Sequence, residues 1–308
     1  MKSANKLMVI TIASLSALVA MTVTWPTAHT IVGAKASATT LRIYSWEDYI
    51  YEQESDEDEA SIIDQFIAEY EQEHGVSIEV VYDTFSTNEE MYNTLVLGGQ
   101  YDLLVPSDYM IQRLIEEQRI QTIDKTQIPN YTTYASDKLQ TLFEDNAWDN
   151  YAAGYMWGTM GLLHNKDNVE PEDMTSWGAL WDEKYFKDIA VKDSMREGYL
   201  IGLLHVYYDE LIELKRDYEN LEMTVSQYNL ELSEILNRTD EATIELVGQA
   251  LKELKANIYG TEVDQGKNDM VTGKIKINTA WSGDAVYAIY EAAEAGNDVL
   301  RYTVPEEG

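Results

Sequence analysis

Between residues 41 and 150 short apolar runs alternate with amphipathic stretches. LRIYS (41–45) is strand-like. Ile62, Ile63, Phe66, Ile67 and Tyr70 recur at helical spacing, VSIEVVY (76–82) reads as a strand, Met91, Leu95 and Val96 return to helical spacing, and YDLLV (101–105) is a mostly apolar strand. Strand and helix in alternation predict parallel pairing through crossover helices. In such sheets ligands sit beyond the carboxyl ends of the strands. Two of those ends carry aromatic and polar groups: Trp46-Glu47-Asp48-Tyr49 follows the first strand, and Pro106-Ser107-Asp108-Tyr109 follows YDLLV.

Around residues 150–165 the pattern becomes extended and punctuated by glycine, as expected where a chain crosses between lobes. Beyond it, SWGALW (176–181) predicts a short helix after a turn, residues 189–192 a strand and residues 195–208 a helix. Residues 209–255, rich in Leu, Glu and Lys with few breakers, predict two helices divided near Met223 to Ser226. KIKINTA (274–280) alternates as a strand and delivers Trp281-Ser282-Gly283-Asp284 to its end; a helix over 285–295 and a strand over 299–304 follow. The sequence predicts an α/β fold of two lobes, the first over 39–154, the second over 155–301, with 302–308 starting a return crossover to the first.

The N-terminus changes the picture of where the chain works. Lys2 and Lys6 precede nineteen uncharged residues, Leu7 to Trp25, and small residues surround Lys35. Residues 1–38 therefore read as a signal peptide or, since the apolar stretch is just long enough to span a bilayer, as an N-terminal membrane anchor. Either places the folded part outside the cytoplasmic membrane, in the periplasmic space or at the outer face. The chain has no cysteine, which excludes disulfides, thiolate metal sites and a lipid-modified cysteine.

With 22 basic and 55 acidic side chains the formal charge is −33, and removing Lys2, Lys6 and Lys35 leaves −36 on the exported part. Phosphate contacts need clustered Lys and Arg, so nucleic acid is not an expected partner. An acidic surface favours encounter with cations, although high charge also serves solubility. The run EQESDEDE (52–59) reads as a solvated loop.

Chemistry for catalysis is absent from the pattern. His29, His74, His164 and His205 are scattered without metal-ligand spacing, no nucleophile elbow is present, and Gly98-Gly99 lacks the lysine of a phosphate cradle. No cofactor, metal or catalytic residue is expected. Binding is better supported, because Trp46, Tyr49, Tyr109 and Trp281 all fall at predicted strand ends, where a cleft gathers them. Rings beside carboxylates suit an organic cation: a cation–π contact contributes roughly 0.5–2 kcal/mol, depending on how dry the site is.

The segments LRIYSWEDYI, YDLLVPSDYMIQRLIEEQRIQTIDK, MWGTMGLLHNKDNVEPEDMTSWGALWDEKY, VKDSMREG, NTAWSGDAVYAI and VPEEG, in this order, resemble the bacterial extracytoplasmic spermidine/putrescine-binding proteins, the substrate receptors of polyamine ABC importers. The resemblance runs from Leu41 to Gly308. It implies a two-lobe periplasmic-binding-protein-like fold with a mixed central sheet in each lobe, closing on a hinge around a polyamine and delivering it as a monomer to membrane ABC permease subunits. The family's Trp-x-acid-Tyr motif falls on Trp46, Asp48 and Tyr49, its Pro-Ser-x-Tyr motif on Ser107 and Tyr109, its Arg-Glu motif on Glu197, and its Trp-x-Gly motif on Trp281. Taken alone, Asp48 and Ser107 are also candidate helix caps and Glu197 a first-turn charge.

The chain also departs from the family. A second acid found in some members three residues before the glutamate is replaced by Ser194, with Asp193 one step earlier. Members also continue past the Pro-x-Glu-Gly turn into a Trp-x-Asp segment and first-lobe helices, so on this resemblance a chain truncated at its C-terminus, with an incomplete first lobe, is expected. The alternatives to a polyamine receptor are a two-lobe receptor for another small ligand and an exported hydrolase.

Overall fold

The computed structural model describes residues 39–53 and 59–308; the signal or anchor segment and part of the 52–59 acidic run lie outside them. In the first lobe β1 (Thr39–Trp46), α1 (Ile62–His74), β2 (Ile78–Phe85), α2 (Asn88–Val96), β3 (Leu103–Leu104) and α3 (Asp108–Glu116) follow one another, then α4 (Pro129–Tyr134) and α5 (Asp137–Asp145). β1 pairs in parallel with β2 on one side and β3 on the other, with Trp46 opposite Phe85 and Ile43 opposite Leu103. Parallel order with intervening helices is what the alternating pattern requires, because a parallel neighbour can be reached only by a crossover. Tyr44, Phe85, Met91, Met110 and Leu114 form the buried core, with Tyr44 stacked on Tyr101 at 4.4 Å.

The second lobe contains β4 (Met160–Asn165), β5 (Ile189–Lys192), α6 (Met195–Val206), α7 (Tyr208–Glu219), α8 (Val225–Leu236), α9 (Glu241–Asn257), β6 (Gly260–Glu262), α10 (Gln265–Val271), β7 (Ile277–Trp281), α11 (Ser282–Glu294) and β8 (Leu300–Thr303). Its sheet runs β6-β5-β7-β4-β8. β6, β5 and β7 are parallel, whereas β4 is antiparallel to β7 and β8. Neighbouring residues Leu162 and Leu163 are both fully buried but belong to different apolar clusters, so the sheet is covered on both faces. Tyr302 and Thr303, expected at the start of a return crossover, pair with β4 in this sheet.

Two helices expected over 209–255 are three in the structure, α7, α8 and α9. The expected break near Met223–Ser226 is fixed by a capping box, in which Thr224 accepts from the Gln227 backbone while the Gln227 side chain accepts from Thr224. The second break arises because Asp240 caps α9, its carboxylate accepting from the Thr243 N–H at 3.1 Å. SWGALW forms a 3-10 turn over Trp177–Trp181 rather than an α-helix, with Ser176 as its cap.

Candidate functional site

The parallel strands of both sheets end at one small cavity between the lobes. From the first lobe it receives Trp46 at the end of β1, Asn88 and Glu89 at the start of α2, and Ser107 ahead of α3. From the second come Lys192 and Asp193 after β5, Glu197 in the first turn of α6, Glu262 at the end of β6 and Trp281 at the end of β7. Strand ends collect these groups because side chains there leave the sheet at loops, where the backbone has room to turn.

Two tryptophans bridge the lobes. The Trp46 and Trp281 ring centroids lie 6.4 Å apart, edge to face, and Trp46 leans on Phe85 at 4.7 Å. Each ring offers a negatively polarised face to a cation. Glu197 supplies charge: it accepts a hydrogen bond from the Ser194 hydroxyl, and burial raises its pKa above the ordinary 4.5, with smaller upward contributions from Asp108 and Glu89 across the cleft. Among the described residues neither Glu197 nor Glu89 forms an ion pair.

Ser107 is positioned by Asn88, whose side-chain amide donates to its hydroxyl at 3.1 Å and accepts from its backbone N–H at 3.0 Å. Although Ser107 occupies the cap position of α3, its side chain makes no cap hydrogen bond, which leaves the hydroxyl on the cavity. Tyr109 stands one step back. Its hydroxyl donates to Glu89 at 2.9 Å, and burial followed by that hydrogen bond drives its pKa up, so the phenol stays protonated and orients the carboxylate.

Asp48 and Tyr49 flank the cavity rather than line it. The Asp48 carboxylate, 71% exposed, accepts from Lys267 of α10 at 2.8 Å and so ties the lobes at the rim. Tyr49 lies 6.3 Å from Trp46 and 6.1 Å from Tyr155 of the crossover, whose hydroxyl donates to the Tyr49 carbonyl at 2.7 Å. A second rim pair joins Arg196 to Asp108.

Residues 65–308 match the profile of the bacterial extracellular solute-binding proteins. The chain belongs to this family. A relative from Salmonella typhimurium, named a spermidine/putrescine-binding periplasmic protein, is 28% identical over 271 residues, which are 87% of this chain and 64% of that protein. This solute-binding protein thus spans somewhat under two thirds of that relative's length. Among solved structures, one assigned as a spermidine/putrescine ABC transporter from Listeria monocytogenes is 27% identical with a TM-score of 0.65, covering 88% of this chain and 70% of that one. A spermidine/putrescine ABC transporter substrate-binding protein from Streptococcus pneumoniae is 26% identical with a TM-score of 0.54 over 88% and 69% of the two chains. The fold is the two-lobe periplasmic-binding-protein fold.

Within this solute-binding protein, Trp46, Ser107, Glu197 and Trp281 of the expected site share one cavity. Sequence reasoning missed Glu89, Lys192, Glu262 and Asp284 as members of the site or its backing. Lys192 and Asp284 belong to the segments VKDSMREG and WSGD, but nothing in their spacing shows that they meet. Glu262 closes a strand of three residues, too short to leave a periodic signal.

Proposed function

We propose that this protein captures a polyamine outside the cytoplasmic membrane and delivers it, as a monomer and without affinity for nucleic acid, to the permease subunits of a membrane ABC importer. The observation that carries the proposal is the Trp46–Trp281 pair beside Glu89 and Glu197, two carboxylates that form no salt bridge among the described residues, in one interlobe cavity. An ammonium group leaving water must be met by charged acceptors, and the methylenes it carries gain from ring faces; this cavity offers both. The names borne by the relatives from Salmonella typhimurium and Streptococcus pneumoniae support the same ligand class. A carboxylate or phosphate ligand is disfavoured, because the cavity's lysine is already held by two carboxylates.

Calorimetry on the full chain with 1,4-diaminobutane and spermidine tests this. One-to-one binding at micromolar or tighter affinity is expected. Trp281→Ala should weaken it by at least about 1 kcal/mol through loss of a cation–π face. A folded protein that binds neither amine overturns the proposal.

A further inference from the structure

The Lys192 side chain is 1% exposed, yet it borders the cavity. Its Nζ lies 3.0 Å from Glu262 Oε1 and 3.0 Å from Asp284 Oδ2, donates to the Val263 carbonyl at 2.6 Å, and sits 4.5 Å from the Trp281 ring centroid. An alkylammonium has three N–H donors, and here three oxygens and one aromatic face surround it. These are the groups a cleft would use to hold the amine end of a ligand. Here the chain supplies that amine itself.

We infer that Lys192 permanently occupies one ammonium position of the cleft and thereby sets how many cationic centres a ligand can carry. The inference rests on the polyamine reading above. Lys267 lies 4.0 Å from Asp284 Oδ1 but pairs chiefly with Asp48 at 2.8 Å and stands 4.0 Å from Asp264, so the two carboxylates that face Lys192 itself, Glu262 and Asp284, are engaged by the protein's own amine. Glu89, Asp193 and Glu197 remain on the cavity wall. A third ammonium reaching past the tryptophans would meet Lys192 in a dry site, where like charges are costly. The wild-type protein therefore selects a diamine over a linear triamine.

Calorimetry of the full chain and of Lys192→Ala with 1,4-diaminobutane and spermidine tests the inference. The ratio of triamine to diamine dissociation constants should fall at least about tenfold in the variant, because a vacated ammonium position accepts the third amine. An unchanged ratio makes Lys192 a structural brace and overturns the inference. If Lys192→Ala does not fold, Lys192→Ala/Glu262→Gln removes one charge of each sign and carries the same comparison. A second readout does not depend on polyamine binding: millimolar n-butylammonium should raise the melting temperature of the variant by more than that of the wild type. If the wild type binds neither polyamine, the polyamine reading falls and this rescue decides, its absence overturning the inference as well.

Discussion

Glu197 illustrates what one side chain must reconcile. To hold an ammonium it must be ionised, but burial between the lobes favours its protonated form and raises its pKa, with Asp108 and Glu89 adding to the effect. The signs for stability and for binding are opposite. A carboxyl group whose pKa is higher in the folded than in the unfolded state stabilises the fold as pH falls through that raised value, and loses this contribution as pH rises. Ligand affinity does the reverse, since amines stay protonated throughout and only ionised Glu197 pairs with them. We expect diamine affinity to begin falling, on acidification, at a pH above the ordinary glutamate range near 4.5, while the ligand-free protein gains stability from this group. Titration calorimetry across pH with Glu197→Gln as control checks it: the variant should bind more weakly at neutral pH and lose that limb of the profile. The place of Glu197 on the cavity wall was legible from a motif; that of Glu89 was not, because it is tied into the site by a Tyr109 hydroxyl twenty residues away.

At the scale of elements, the long signals were readable and the short ones were not. Residues Ile62–His74 show their apolar spacing plainly, and Ile189–Lys192 form the strand the pattern predicts. β6 and α10, with three and seven residues, have no period to detect, yet they bring Glu262 and Lys267 to the cleft. Their close approach depends on Gly266. Its N–H donates to Glu262 Oε2 at 2.8 Å, and a Cβ there would fall 2.3 Å from Asn278 Nδ2 and 2.5 Å from Glu262 Cδ. Those atoms belong to a fully buried amide on β7 and to the carboxylate that faces Lys192, so a methyl group there has no open space to enter. Gly266→Ala should cost about 1–3 kcal/mol of stability by overpacking, measured by urea unfolding. It should also displace Glu262 and thereby disturb the Lys192 pocket. A variant as stable as the wild type would show that α10 can shift away from β7.

For the whole molecule, the question is what holds the lobes together around the cavity. Among the described residues the first lobe's apolar cluster holds five buried residues and the second lobe's clusters far more, so the lobes meet as unequal bodies across a seam. The seam is pinned at two exposed points, Asp48 to Lys267 and Asp108 to Arg196, and at the centre by Trp46 against Trp281. Lys267 keeps its charge at this position. Burial pulls its pKa down, but the Asp48 hydrogen bond and the Asp284 charge outweigh it and raise the value. Neither ion pair could be read from the sequence, since Asp48 and Lys267 are 219 residues apart. Exposed ion pairs are each worth about 0.2–1 kcal/mol, so losing both pins should shift the closure equilibrium by roughly twofold to thirtyfold toward open without unfolding either lobe. Because apparent affinity scales with the fraction of molecules competent to bind, Asp48→Asn/Asp108→Asn should weaken diamine binding by the same factor while leaving thermal stability nearly unchanged. Small-angle scattering should show a larger radius of gyration for the ligand-free variant at low salt. At about 1 M salt, where screening reaches within roughly 3 Å, the wild type and the variant should converge. A difference between them that persists at high salt would mean that Asp48 or Asp108 acts on the ligand itself and not through the seam.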